Sequence, residues 1–168
     1  MRDRSSWTSL LIAVSLAMSS AAAATESSTP KQRAQIVEFS KQYEADILGS
    51  KAKDLATVLV KWWTEVPDLN VDWCANLLVD ERPASKELAG AVTVQALLAA
   101  GVYVIEHSDQ AVTKRSIWLA GMEGVVRAHH NLRARDPEMK DPFLDKLSEL
   151  QQAGTLGEYV DAHSGSCR

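Results

Sequence analysis

The side chains best suited to binding a metal or moving a proton are four histidines, His107, His129, His130 and His163. Helical metal sites use ligands three or four residues apart on one face. Glu123 and His129 are six residues apart, about 600° around a helix axis, and the adjacent His129 and His130 diverge by about 100°. Since no metal-ligand spacing occurs, we expect histidines at the surface or at helix ends, with neither metal nor cofactor.

A site assembled from separate helices stays open as a second hypothesis, because such a site leaves no local motif. The residues that could form it are Glu106, His107, Glu123 and His130. Their carboxylate and imidazole groups suit ligand binding or proton transfer.

Two adjacent tryptophans, Trp62 and Trp63, are candidate binding anchors. Adjacent helical residues diverge by about 100°, so one ring can face the core while the other lies nearer the surface. Tryptophan is enriched at interface hot spots, although partial burial in the core is the favoured interpretation for this residue type.

Motifs of nucleophilic catalysis are missing from the sequence. It contains no Gly-x-Ser-x-Gly, no Ser-x-x-Lys and no glycine-rich phosphate loop. We therefore assign no catalytic residue, and an enzyme is the less favoured of the open alternatives.

Cys74 and Cys167 are the two cysteines of the chain. An even count in an oxidising compartment favours a disulfide, which would tie the C-terminal tail to the middle of the domain. A buried thiol at Cys74 with a free or intermolecular thiol at Cys167 is the alternative.

The N-terminus has the layout of a secretory signal peptide. Arg2 and Arg4 precede a short apolar stretch, Trp7 to Met18, which is followed by small residues up to Ala24. A membrane span needs about 20 apolar residues, so we expect cleavage after Ala24 and a periplasmic or extracellular protein without a stable span. The expected organisation is a signal peptide over 1–24, a polar linker over 25–30 and a single helical domain over 31–168.

The charge balance limits the classes of partner. The chain has 18 basic and 22 acidic residues, a net charge of −4. Nucleic acids and anionic membranes require a basic face, so we expect neither as a partner. A mildly acidic, mixed-sign surface is typical of a soluble protein.

Apolar residues recur every three or four positions through most of the chain, which predicts an all-α bundle of six to seven helices. The predicted helices are 31–48, 51–66, a short one over 72–78, 86–107, 110–135, one opening at Asp141-Pro142 and closing at Gly154, and a last short one to about His163. Expected N-caps are Asp72, Ser85, Asp109 and Asp141, with a capping box at Thr155.

Small residues cluster on the two longest predicted helices. They are Gly90, Ala91, Ala96, Ala99, Ala100 and Gly101 on 86–107, and Ala120, Gly121, Gly124 and Ala128 on 110–135. Glycine inside a helix costs about 1 kcal/mol relative to alanine, which close packing of the two helices would offset. We therefore predict a central antiparallel hairpin; a groove left open for a ligand is the less favoured alternative.

These observations favour an exported helical protein that binds another envelope or secreted protein, as an inhibitor, an immunity-type protein or an envelope accessory protein. A small exported helical protein with two cysteines is similar in kind to periplasmic immunity proteins and to small periplasmic stress chaperones. Two alternatives stay open. One is an enzyme that binds a small molecule or metal beside the 86–107/110–135 hairpin, and the other is a dimeric envelope chaperone.

Overall fold

The computed structural model describes residues 27–79, 83–165 and 167. The predicted signal peptide and the first part of the predicted linker lie outside these residues. Six α-helices and one 3-10 helix make up the regular structure, and no strand occurs in the described ranges. The α-helices are α1 (Pro30–Ala45), α2 (Ala52–Glu65), α3 (Lys86–Glu106), α4 (Lys114–Arg135), α5 (Pro142–Gln152) and α6 (Leu156–His163), with the 3-10 helix at Ala75–Leu78.

The α3–α4 hairpin forms the centre of the bundle, as the small residues predict. Ala96 lies opposite Gly121, and Ala99 lies opposite Gly124, where a Cβ atom would collide with its methyl group. α1 packs on both helices of the hairpin, α2 on α1 and α3, and α5 and α6 on α4. The predicted all-α fold is therefore confirmed.

Large apolar side chains meet in a main core, and Ala100, Val104 and Ile117 form a second, smaller buried cluster. Leu59, Leu77, Leu98, Met122 and Leu147 have no exposed surface. Two large apolar side chains lie partly outside the core: Val58 is 54% exposed and Phe39 is 36% exposed.

The disulfide between Cys74 and Cys167 is present, with the two Cα atoms 5.6 Å apart. Cys74 is buried directly before the 3-10 helix, and Cys167 follows α6. The bond therefore fastens the end of the chain to the segment between α2 and α3.

Two expected N-caps are confirmed by their hydrogen bonds. The Ser85 hydroxyl accepts from the Leu88 amide at 3.1 Å. Asp141 Oδ1 accepts from the amides of Phe143 and Leu144, both at 3.1 Å, and its Oδ2 accepts from Ala84 N at 2.9 Å. Asp141 thus caps α5 and also joins it to the start of α3.

Two other expected N-caps are wrong. α4 begins after Thr113, whose hydroxyl forms a capping box with Ser116, and not after Asp109. Asp72 lies in extended chain, where its carboxylate pairs with Lys114 Nζ at 2.6 Å instead of capping a helix.

The capping box expected at Thr155 is also absent, because Thr155 belongs to the end of α5. Its amide donates to Leu150 O at 2.9 Å, and the Gly154 amide donates to Gln151 O at 3.0 Å. Gly154 has φ +74°. Together these bonds form a Schellman motif, which leaves the Thr155 side chain without a cap bond to α6.

Candidate functional site

α3 is long and apolar enough to cross a membrane by length and composition, with a mean hydropathy of 2.0 over an 18-residue window of which half is buried. A core helix of a soluble protein has the same properties. Gln95, in the middle of α3, is buried and hydrogen-bonded to Glu44 of α1 and Gly124 O of α4. α3 is therefore the core helix of this bundle. Part of its other face lies at the surface.

The N-terminal half of α3 leaves an apolar ridge on the surface. We call this the α3 ridge and define it as Ala89, Gly90, Ala91, Thr93 and Val94, each exposed or half-buried. A Cβ atom at Gly90 would meet no atom of the described residues within 4 Å. Another chain can consequently approach the α3 backbone closely at this point.

A groove runs along each side of the α3 ridge. The first, of about 360 Å³, lies against α1 and α2, and its charged lining residues are Lys53, Lys86 and Glu87. The second, of about 290 Å³, lies against the segment that contains Trp73 and Val79, and its lining residues within the described ranges are uncharged. Gly90 lines both grooves, so the two form one apolar surface.

Exposed aliphatic side chains extend this surface at both sides. Leu48, which lines the first groove, is 40% exposed, and Val79, which lines the second, is 58% exposed. Contiguous apolar surface of this kind marks interaction sites more often than scattered exposed aliphatic residues do.

The predicted binding anchors Trp62 and Trp63 are both half-buried, with ring centroids 5.0 Å apart in an edge-to-face arrangement. The Trp63 ring covers Gly101, where a Cβ atom would collide with it. Trp73 covers Gly121 of α4 in the same way. Two indole rings thus fill the space left by the hairpin glycines, and a binding role for Trp62 and Trp63 stays a prediction.

The structure does not bring together the four residues that could form a site from separate helices, Glu106, His107, Glu123 and His130. Glu106 lines a cleft between α1, α3 and α4, whereas the exposed His130 lines another cleft beside α5. His107 Nδ1–H donates to Tyr103 O at 2.9 Å, and the imidazole stacks on the Tyr103 ring at the end of α3. Glu123 is half-buried on α4. Within the described residues, no group of three or more His, Cys, Asp or Glu could hold a metal ion.

The cleft between α1, α3 and α4 has a volume of about 330 Å³, and we call it the polar cleft. Its lining residues are Ser40, Lys41, Glu44, Gln95, Ala99, Val102, Glu106 and Arg127. Arg127 binds the Glu44 carboxylate through both oxygens, at 2.9 and 3.0 Å. Among its polar lining residues, Glu106 was a predicted site residue, and the others come from three helices and form no local motif.

A second group that the sequence analysis missed surrounds His129, which is 1% exposed and not at the surface as expected. The Ser148 hydroxyl donates to Leu144 O at 3.0 Å, so His129 Nδ1–H donates to Ser148 Oγ at 2.9 Å. His129 Nε2 lies 3.4 Å from Asp145 Oδ1. Serine, histidine and aspartate are adjacent here, but the histidine donates to the serine and cannot act as its base.

Burial is the main cause that lowers the pKa of His129, and the positive charges of His130 and Arg133 act in the same direction. The carboxylates of Asp145 and Asp141 oppose this shift. His129 is therefore a neutral structural residue at pH 7, held by its bond to Ser148.

We predict that His129 makes folding stability depend on pH. The unfolded chain binds a proton near the ordinary histidine pKa of about 6.5, while the folded chain binds it only at lower pH. Stability from this residue is therefore complete above about pH 7 and is lost as the pH falls below the ordinary histidine pKa, toward the lower pKa of the folded state. His129→Asn preserves a donor to Ser148 but removes the titration. Urea unfolding at a series of pH values should show a flatter profile for the variant, and parallel profiles would refute this role for His129.

Comparison with known proteins identifies no relatives of this chain: it matches no family model, no curated protein and no solved structure.

Proposed function

We propose that this is an exported protein that binds another envelope or secreted protein through the α3 ridge and its two grooves. The observation that carries the proposal is the uncovered apolar face of α3, a helix whose other face forms the centre of the core. The disulfide is consistent with an oxidising compartment, and the N-terminal sequence has the layout of a signal peptide.

The shape of the surface indicates the chemistry of the partner. Two parallel grooves beside a helix with a glycine at its crest suit an amphipathic helix, whose apolar side chains repeat at three- and four-residue spacing. The described residues that line the groove next to Trp73 are mostly apolar, so this groove favours apolar side chains of the partner. We expect Lys53, Lys86 and Glu87, at the other groove, to provide polar contacts at the rim.

Substitution of Gly90 by arginine tests this surface. Among the described residues, Gly90 is surrounded by open space, and arginine is a better helix former than glycine, so Gly90→Arg should fold normally. It places a charge at the junction of the two grooves. We expect at least about a tenfold loss of affinity for the partner purified from envelope extract, the effect of disrupting an interface hot spot.

Gln151→Arg is the matched control, because Gln151 is exposed near the far end of α5. Affinity should be unchanged in this variant. If both arginine variants bind the partner as the wild type does, the α3 ridge is not the binding surface. The bound protein could instead be a second copy of this chain, with a dimeric mass in solution. In that case the protein is a dimer, and the proposal of a different partner protein is wrong.

A further inference from the structure

The chain between α2 and α3 forms one side of the second groove beside the α3 ridge, and we call residues 73–79 the groove wall. The groove wall contributes these lining residues: Trp73, Ala75, Leu78 and Val79. Cys74 lies between the first two of them in the sequence. Its disulfide to Cys167 therefore fastens the groove wall to the tail that follows α6.

The backbone of the groove wall is held by long hydrogen bonds within a single 3-10 turn. The Leu77 amide donates to Cys74 O at 3.3 Å, and the Val79 amide donates to Asn76 O at 3.4 Å. Turns of this type have poorer hydrogen-bond geometry than α-helices, and segments with weak backbone bonding open most easily. The position of the groove wall consequently depends on its links to the rest of the fold.

Two hydrogen bonds from side chains accompany the disulfide. The Trp118 indole of α4 donates to Asp72 O at 2.6 Å, directly before the groove wall. The Tyr159 hydroxyl of α6 donates to Leu77 O at 3.2 Å. Since neither bond involves a cysteine, both can persist in the reduced protein. We therefore expect reduction to loosen the groove wall without unfolding it.

We propose that the Cys74–Cys167 disulfide is a redox-sensitive link that keeps the groove wall in its partner-binding position. This inference rests on the proposed function, because it assigns regulation to the same surface. The oxidised chain presents the second groove fully formed, whereas the reduced chain presents it for only a fraction of the time. Affinity for the partner falls in proportion to that fraction.

Burial determines which sulfur is attacked. Cys74 is 1% exposed, whereas Cys167 is half-buried near the end of the chain. A thiolate of a dithiol reductant attacks Cys167 Sγ, the disulfide bond breaks, and Cys74 Sγ leaves as a thiolate that takes up a proton. The second thiol of the reductant then attacks the mixed disulfide. This step releases the Cys167 thiol and leaves the reductant oxidised to its own disulfide.

Hydrogen exchange tests the effect on the groove wall without a partner. Cys167→Ser removes the bond and leaves the buried Cys74 in place. Leu132→Ala on α4 is the matched control, because its cavity destabilises the whole fold while the disulfide stays intact. Beyond any difference in their free energies of unfolding, we expect the Leu77 and Val79 amides to exchange at least about tenfold faster in Cys167→Ser than in Leu132→Ala. Equal exchange rates would overturn the proposal.

Affinity for the partner captured from envelope extract by the oxidised wild type completes the test. We expect it to be about tenfold weaker for Cys167→Ser and for wild type reduced with dithiothreitol, and unchanged for Leu132→Ala. Tyr159→Phe retains the disulfide but removes the neighbouring hydrogen bond, so it should also weaken binding.

The outcomes separate this inference from the proposed function. If Gly90→Arg reduces affinity while Cys167→Ser and the reduced wild type bind as the oxidised wild type does, the redox inference alone is wrong. Equal losses in Cys167→Ser and Leu132→Ala would also refute it, since they would show an effect of general destabilisation. If Gly90→Arg leaves affinity unchanged, the proposed function is wrong and this inference fails with it.

Discussion

Removal of the Cys74–Cys167 disulfide should lower the free energy of unfolding by about 4–5 kcal/mol, the chain-entropy value for a loop of this length. The two cysteines are 93 residues apart, so the bond restricts the unfolded chain strongly. Typical domains have a total stability of about 5–15 kcal/mol, and this loss is a large share of it. Chemical denaturation of the wild type and of Cys74→Ala/Cys167→Ala measures the difference.

Reduced wild-type protein is the control, since it lacks the bond but retains both side chains. It should unfold at the same denaturant concentration as the double alanine variant, apart from the methyl-sized cavity at buried Cys74. Equal midpoints for the oxidised and reduced wild type would contradict the prediction. An intact mass of protein from its native cells adds a check on export, because we expect loss of residues 1–24 together with a two-proton deficit that reduction restores.

Alanine at two helical glycines should change stability in opposite directions. In Gly121→Ala the new methyl group collides with the Trp73 ring and lies 2.8 Å from Ala96 O, a backbone atom that cannot move aside. We expect a loss of about 1–3 kcal/mol, the usual cost of overpacking. In Gly90→Ala the methyl group meets no atom of the described residues within 4 Å, and we expect a gain of up to about 1 kcal/mol from helix propensity.

Urea unfolding of the two variants beside the wild type measures both effects. Because the chemical change is the same, the difference between them isolates the packing of the hairpin. A gain in stability for Gly121→Ala, or equal effects for both variants, would show that the two hairpin helices do not approach as closely as the structure indicates.

Local patterns predicted the parts of the fold that depend on a few neighbouring residues. Ser85 and the Asp141-Pro142 pair cap helices as expected, since each bonds to amides within three residues of itself. Small residues predicted the central hairpin because glycine in a helix requires an offsetting contact. The capping box predicted at Thr155 was wrong because the Thr155 backbone amide donates to the end of the preceding helix. The positive φ of Gly154 makes that bond possible.

Local sequence patterns could not predict the candidate sites, because the residues of each site come from different helices. His129 is neutral because it is buried, and the Ser148 and Asp145 side chains beside it lie 19 and 16 residues further along the chain. Ser40 and Gln95, which line the polar cleft, are on α1 and α3, and neither has a motif. The α3 ridge is apolar like the rest of α3, so the sequence could not indicate which of its faces stays uncovered.

Site-specific photocrosslinking in the native cell tests the central claim, that the α3 ridge binds a partner protein, most directly. A photoreactive amino acid at exposed Thr93, within the α3 ridge, is compared with one at exposed Gln151 on α5. We predict one discrete adduct with a different protein at Thr93 and none at Gln151. No adduct at Thr93, an adduct with lipid only, or the same adducts at both positions would contradict the account.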